Sequence, residues 1–99
     1  MISKSQFIDR VKQISSPIPS KTNKASYKNF KLISNILHFE RVNTNQSWDL
    51  DIDTLYDIYQ KNDFINTTTI KNITGRQVNS PSVAVLMAIG CLDSAGNRV

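Results

Sequence analysis

The sequence predicts an α+β domain: an N-terminal helix, a short antiparallel β-hairpin or three-stranded sheet, then three helices with a small C-terminal hairpin. Three observations carry this expectation. Apolar residues recur at helical spacing near the start of the chain and again from residue 52 onward. Between these stretches, residues 29–50 shift toward the alternation of a half-buried strand. Each helical stretch is also preceded by its own start signal, which ties the elements to definite positions.

The first helix is expected over 4–14. Ser3 and Gln6 stand as a capping box, and Ile2 and Phe7 occupy the two positions of a hydrophobic staple. Phe7, Val11 and Ile14 follow at helical spacing, and Ser15-Ser16-Pro17 stops the run, since proline lacks an N–H and disfavours helix in its predecessor. Residues 15–28, with Pro17, Pro19 and three lysines, read as a basic loop. Strands are expected at 29–34 and 36–43 around a two-residue turn at Ser34-Asn35, and Trp48 and Leu50 suggest a third.

From Asp51 the period is helical again, with Ile52, Leu55, Tyr56 and Tyr59 on one face. Asp51 is the N-cap, and Leu50 and Leu55 form the staple. Asn66 caps a helix at 67–74, with Gly75 as its left-handed stop. Ser80-Pro81 is the cap and first-turn proline of a last helix at 81–89. That segment, Val83 to Ile89, is apolar all round, so it is expected to be enclosed; by periodicity alone a buried strand fits equally. Cys91-Leu92 and Arg98-Val99 flank a turn at 93–97 and complete the small hairpin.

The 99 residues suit a single domain, 1–99: helix 1–14, basic loop 15–28, strands 29–50, helical half 51–99. A hydrophobic share of 39% with 20% charge is globular rather than disordered. No apolar run approaches the roughly 20 residues of a membrane span. Met1–Gln6 lacks the layout of an export signal, and one cysteine allows no internal disulfide, so a cytoplasmic protein is expected. Net charge is +4 and unevenly spread. Residues 1–31 carry Lys4, Arg10, Lys12, Lys21, Lys24, Lys28 and Lys31 against Asp9 alone. Residues 32–63 carry Arg41 and Lys61 against Glu40, Asp49, Asp51, Asp53, Asp57 and Asp63. A basic first third beside an acidic middle suits either a polyanion partner or internal pairing.

The order from residue 52, together with Ser80-Pro81-Ser82-Val83, Leu86, Gly90, Leu92 and Gly96-Asn97-Arg98, resembles the winged helix-turn-helix architecture. The resemblance implies that 81–89 stands in the recognition position and 91–99 forms the wing. One departure is that 81–89 carries no charged residue, whereas a groove-reading helix presents polar side chains to base edges.

No catalytic or metal-binding constellation emerges. Asp49, Asp51 and Asp53 miss the calcium-loop pattern, with Thr54 where glycine is needed and Gln60 where a bidentate glutamate is needed. They read instead as a solvated edge and helix cap. His38 has no second histidine to share a metal, and Cys91 follows a helix C-terminus, the wrong pole for a thiolate. Gly75, Gly90 and Gly96 are too scattered for a phosphate loop. No cofactor is expected. Tyr56 and Tyr59 read as core, while Trp48 is open to a core or a contact role.

Two functions are therefore expected as alternatives. In the first, a non-enzymatic domain binds DNA or RNA. Lys21, Lys24 and Lys28 on the loop meet phosphates; Lys71, Arg76, Gln77, Asn79, Ser80 and Ser82 lie around the last helix's start; Arg98 sits on the wing. In the second, the acidic stretch 49–63 faces a protein partner. The first requires the lysine loop and the arginines flanking the last helix to share one face.

Overall fold

The computed structural model describes residues 1–75 and 79–99. The chain builds α1 (Lys4–Lys12), β1 (Ile18–Pro19), β2 (Ser26–Ile33), β3 (Ile36–Arg41), β4 (Ser47–Asp51), α2 (Ile52–Lys61), α3 (Thr67–Thr74) and α4 (Asn79–Ala88). The α+β class and element order match the sequence reading, with one strand more. The four strands form an antiparallel sheet in the order β1-β2-β3-β4.

The helix starts follow from local chemistry. Ser3 and Gln6 form a reciprocal capping box on α1, and Asn66 and Thr69 do the same on α3. The Asp51 carboxylate accepts from the amides of Asp53 and Thr54 and opens α2. Each cap satisfies orphan amides and contributes about 1 kcal/mol. Gly75 at φ 64° ends α3 in the left-handed conformation.

In the sheet, Ile33 pairs with Ile36 across Ser34-Asn35, whose φ values of 51° and 61° are those of a primed hairpin turn. The pairing of β2 with β3 shifts by one residue between Lys28 and Lys31, at Asn29 with φ 59°. This bulge flips the alternation. Tyr27 and Phe30 therefore both turn inward, and both rings meet Phe39, at 5.6 and 5.3 Å between centroids. The outer face keeps Lys31, His38 and Asp49 in one cross-strand row.

Two expectations need correction here. Residues 15–28 are not a free loop: Ile18 pairs with Tyr27 and Pro19 with Ser26, so only the tip at 20–25 turns. The bulge hid the first residues of β2, 26–28, by breaking its period, and β1 is too short to show one. The last helix, among the described residues, runs over Asn79–Ala88, so Ser80 and Pro81 lie within it instead of standing as cap and first residue. It is a helix and not a strand.

Pro81 to Leu86 are all buried, which encloses α4 as its apolar circumference requires. Phe7, Tyr56 and Tyr59 join α1 to α2, with Phe7 5.2 Å from Tyr56 and 5.6 Å from Tyr59. The two tyrosine hydroxyls grip one peptide stretch: the Ile2 amide donates to Tyr59 and Tyr56 donates to the Ile2 carbonyl, each at 3.0 Å. Arg10 donates to the Ile89 carbonyl just after α4 at 3.0 Å, tying α1 to the end of that helix.

After α4 the chain forms a hairpin closed by a bridge between Leu92 and Arg98, and a second bridge joins Asn97 to Phe64. Among the described residues, no helix is long and apolar enough to cross a membrane.

Candidate nucleic-acid interface

The β1–β2 tip is held by its own backbone. Ser20 and Ala25 exchange bonds, the Ser20 amide donating to the Ala25 carbonyl at 2.8 Å and the Ala25 amide to the Ser20 hydroxyl at 3.2 Å. Ser20 is buried as a result, and Lys21 and Lys24 are left exposed on the outside of the turn. Across from this tip lies the C-terminal turn. Its Asp93 carboxylate accepts from the amides of Ala95 and Asn97, both at 2.9 Å. These bonds, that from Asn97 first, hold the Asp93 carboxyl below its ordinary value.

The two turns touch: Lys21 Nζ donates to the Ala95 carbonyl at 3.4 Å. Gly96 makes the approach possible. Its φ is 98°, and a Cβ there would fall 2.9 Å from the Ile65 carbonyl oxygen, 3.1 Å from Phe64 Cε2 and 3.5 Å from Lys21 Nζ. Two segments distant in sequence, 64–65 and the β1–β2 tip, thus converge on one residue without a side chain. The Ile65 amide donates to the Gly96 carbonyl at 2.8 Å and locks the arrangement.

The remaining expected contacts disperse. Lys28 lies on the outer sheet face opposite Glu40, which also accepts from Asn29 Nδ2. Lys71 is exposed on α3. Asn79 and Ser80 are half-buried, and Ser82 at 2% exposure is inside the core, so it is no surface contact. Arg76 and Gln77 lie outside the described residues.

Arg98 requires a correction, for it does not face outward from the hairpin. Its guanidinium turns back on the end of α2, donating to the carbonyls of Tyr59 at 3.2 Å and Gln60 at 2.8 Å, and pairing with Asp63 at 2.8 Å. A cation at a helix C-terminus with four acceptors, the Asn62 carbonyl at 3.5 Å among them, is structural. The expected surface therefore keeps Lys21 and Lys24 beside the hairpin and loses Arg98.

The aspartates of the middle segment have partners of their own. Lys4 pairs with Asp53, Lys61 with Asp57 and Arg98 with Asp63, while Asp51 caps α2. Among the described residues, Lys12, Lys24, Lys28 and Lys31 have no carboxylate at ion-pair distance, and neither have Arg41 and Lys71 further along, so the uncompensated positive charge is densest in the first third of the chain. No group of three or more histidine, cysteine or acidic residues among the described residues is arranged to hold a metal. Cys91 is buried, and burial pushes its thiol up.

Sequence reasoning missed Phe64. With Ile65 it forms a short apolar step between two helices, which reads as core; Ile65 is buried, yet Phe64 is 47% exposed. The hint was the run Lys61-Asn62-Asp63 before it, which offers no apolar neighbour to bury against.

No protein-family model, curated protein or solved structure matches this chain.

Proposed function

We propose that this domain is a non-enzymatic nucleic-acid-binding module that meets phosphates with the β1–β2 tip, at the edge where that tip abuts the C-terminal hairpin. The observation that carries the reading is the Lys21–Ala95 bond, which brings a basic turn beside a wing-like turn distant in sequence. Lys24 extends the positive surface along the tip. Phosphate contacts of this kind give affinity without reading sequence.

The winged helix-turn-helix resemblance supports the same side of the molecule. The order α2, Phe64 bridge, α3, α4 and hairpin is that expected of a wing packed on a three-helix unit. An enclosed α4 argues against insertion of that helix into a major groove, so contact through the wing side is the form the reading takes. The competing reading, a protein partner on the acidic stretch 49–63, is weakened by the internal pairs of Asp53, Asp57 and Asp63. A nucleic-acid role also goes with the cytoplasmic location expected from the sequence.

The test is a titration of labelled duplex and single-stranded oligonucleotides at several salt concentrations. On duplex DNA, log K falls with log salt by about 0.9 for each phosphate neutralised. Replacing Lys21 and Lys24 together by alanine is expected to lower that slope by about 2 and to weaken binding alike across sequences. Absence of binding even at low salt overturns the reading.

A further inference from the structure

Of the eight aromatic side chains, all among the described residues, Phe64 alone is exposed. The other ring contacts belong to two inner clusters: Phe7, Tyr56 and Tyr59, and Tyr27, Phe30 and Phe39. Phe64 stacks on none of them. Its backbone is nevertheless fixed, by the bridge to Asn97 and by the bonds of its neighbours: the Arg98 amide donates to the Asp63 carbonyl and the Ile65 amide to the Gly96 carbonyl, both at 2.8 Å. A fixed backbone thus carries a ring whose Cε2 edge lies by Gly96 and which is about half in water.

The surroundings of this ring are not those of an apolar docking patch. Lys21 Nζ and Phe64 Cε2 both border the space a Cβ would fill at Gly96, 3.5 and 3.1 Å from that position, so an ammonium and a phenyl ring stand near one another. Exposed Ser94, Ala95 and Asn97 complete the rim, with Lys24 further along the tip. A positive charge next to a half-exposed aromatic ring is the pairing that holds unpaired nucleotides: the base stacks on the ring and the phosphate meets the cation. A paired base in the middle of a duplex keeps its faces covered by its neighbours and has none to offer.

We propose that Phe64 and Lys21 form a stacking site for an unpaired base, which makes single-stranded nucleic acid the preferred ligand. This rests on the nucleic-acid reading above and narrows it to one strand form. Each stacked base contributes without regard to its identity, so little sequence preference follows. Gly96 serves the site by keeping the wing turn low enough for the ring and the ammonium to share one opening.

Anisotropy titrations of the intact protein with three labelled probes test this: a short single strand, the same strand with abasic positions throughout, and a duplex. The wild type is expected to bind the intact strand more tightly than the abasic one at equal charge. Phe64→Ala should weaken intact-strand binding by about 5- to 100-fold with an unchanged salt slope, and leave abasic-strand binding unaltered. Phe64→Tyr, which keeps the ring, should bind as the wild type does. Equal wild-type affinity for intact and abasic strands overturns the stacking site whether or not the alanine variant folds, and leaves phosphate binding standing. Binding to the intact strand that Phe64→Ala does not weaken overturns it as well. Failure of the wild type on all three probes overturns both readings and leaves the exposed ring to a protein partner.

Discussion

Arg98 donates to the carbonyl of Gln60 at 2.8 Å, 38 positions earlier in the chain, and so ties the C-terminal hairpin to the end of α2. The same guanidinium reaches the Tyr59 carbonyl and the Asp63 carboxylate. Hydrogen bonds involving a charged group stabilise by about 1.5–3 kcal/mol, and removing the donor strands the helix-end carbonyls. Arg98→Ala is therefore expected to lower stability by roughly that amount in urea denaturation. Arg98→Lys should recover only part, because an ammonium cannot fork to several acceptors. Neither change should alter the salt slope of nucleic-acid binding; a reduced slope would return Arg98 to the phosphate contacts.

Gly96 gives a second prediction. Its φ of 98° is a conformation that side chains rarely adopt, and a Cβ would meet the Ile65 carbonyl oxygen at 2.9 Å, a backbone atom that cannot swing aside. Gly96→Ala is expected to cost about 1–3 kcal/mol. At about 4–8 °C per kcal/mol for a domain of this size, thermal unfolding should detect it readily. Gly75→Ala has a positive φ but open space around the site, so its loss should be smaller.

The Asp93 carboxyl sits below its ordinary value of 3.8 because amides of the folded turn, that of Asn97 above all, donate to it. A carboxyl lowered by folding stabilises the turn fully above the unfolded pKa, near 3.9, and the contribution is lost as pH falls through the folded value. Amide chemical shifts of Ala95 and Asn97 should consequently titrate with a midpoint below 3.8. Asp93→Asn should abolish that titration. A midpoint at or above 3.8 would mean that the carboxylate is not held by these amides.

Cys91 provides a probe of global opening. Burial raises its thiol, with Arg10 and the Tyr59 hydroxyl acting more weakly in the opposite sense. Since the thiolate is the reactive form, a thiol reagent at neutral pH should label the native protein very slowly and the urea-unfolded protein at once. Rapid labelling in native buffer would show that the region behind α4 opens locally.

What the sequence disclosed was whatever is settled within a few residues. Ser3 with Gln6, Asp51 and Asn66 announce their helices because capping is chemistry between neighbours, and Ser34-Asn35 announces its turn for the same reason. The strand expected at 29–34 starts earlier, at Ser26, and its first residues escaped because the Asn29 bulge breaks the period and because lysines and prolines upstream read as loop. The site was less legible still. Arg98 has its carbonyl partners in α2 and Phe64 has its neighbours in the hairpin, and no local pattern encodes either meeting.

The grip of Tyr56 and Tyr59 on the peptide group of Ile2 bears on how this fold can be inherited or engineered. The helical half alone would expose two aromatic rings and lose the strand edge lying against α4, so it is not a portable cassette. Shuffling, permutation or fragment complementation should succeed only where both halves stay present together. Phe64, whose ring is half in solvent, belongs to the small set of positions that can diversify without breaking that mutual dependence.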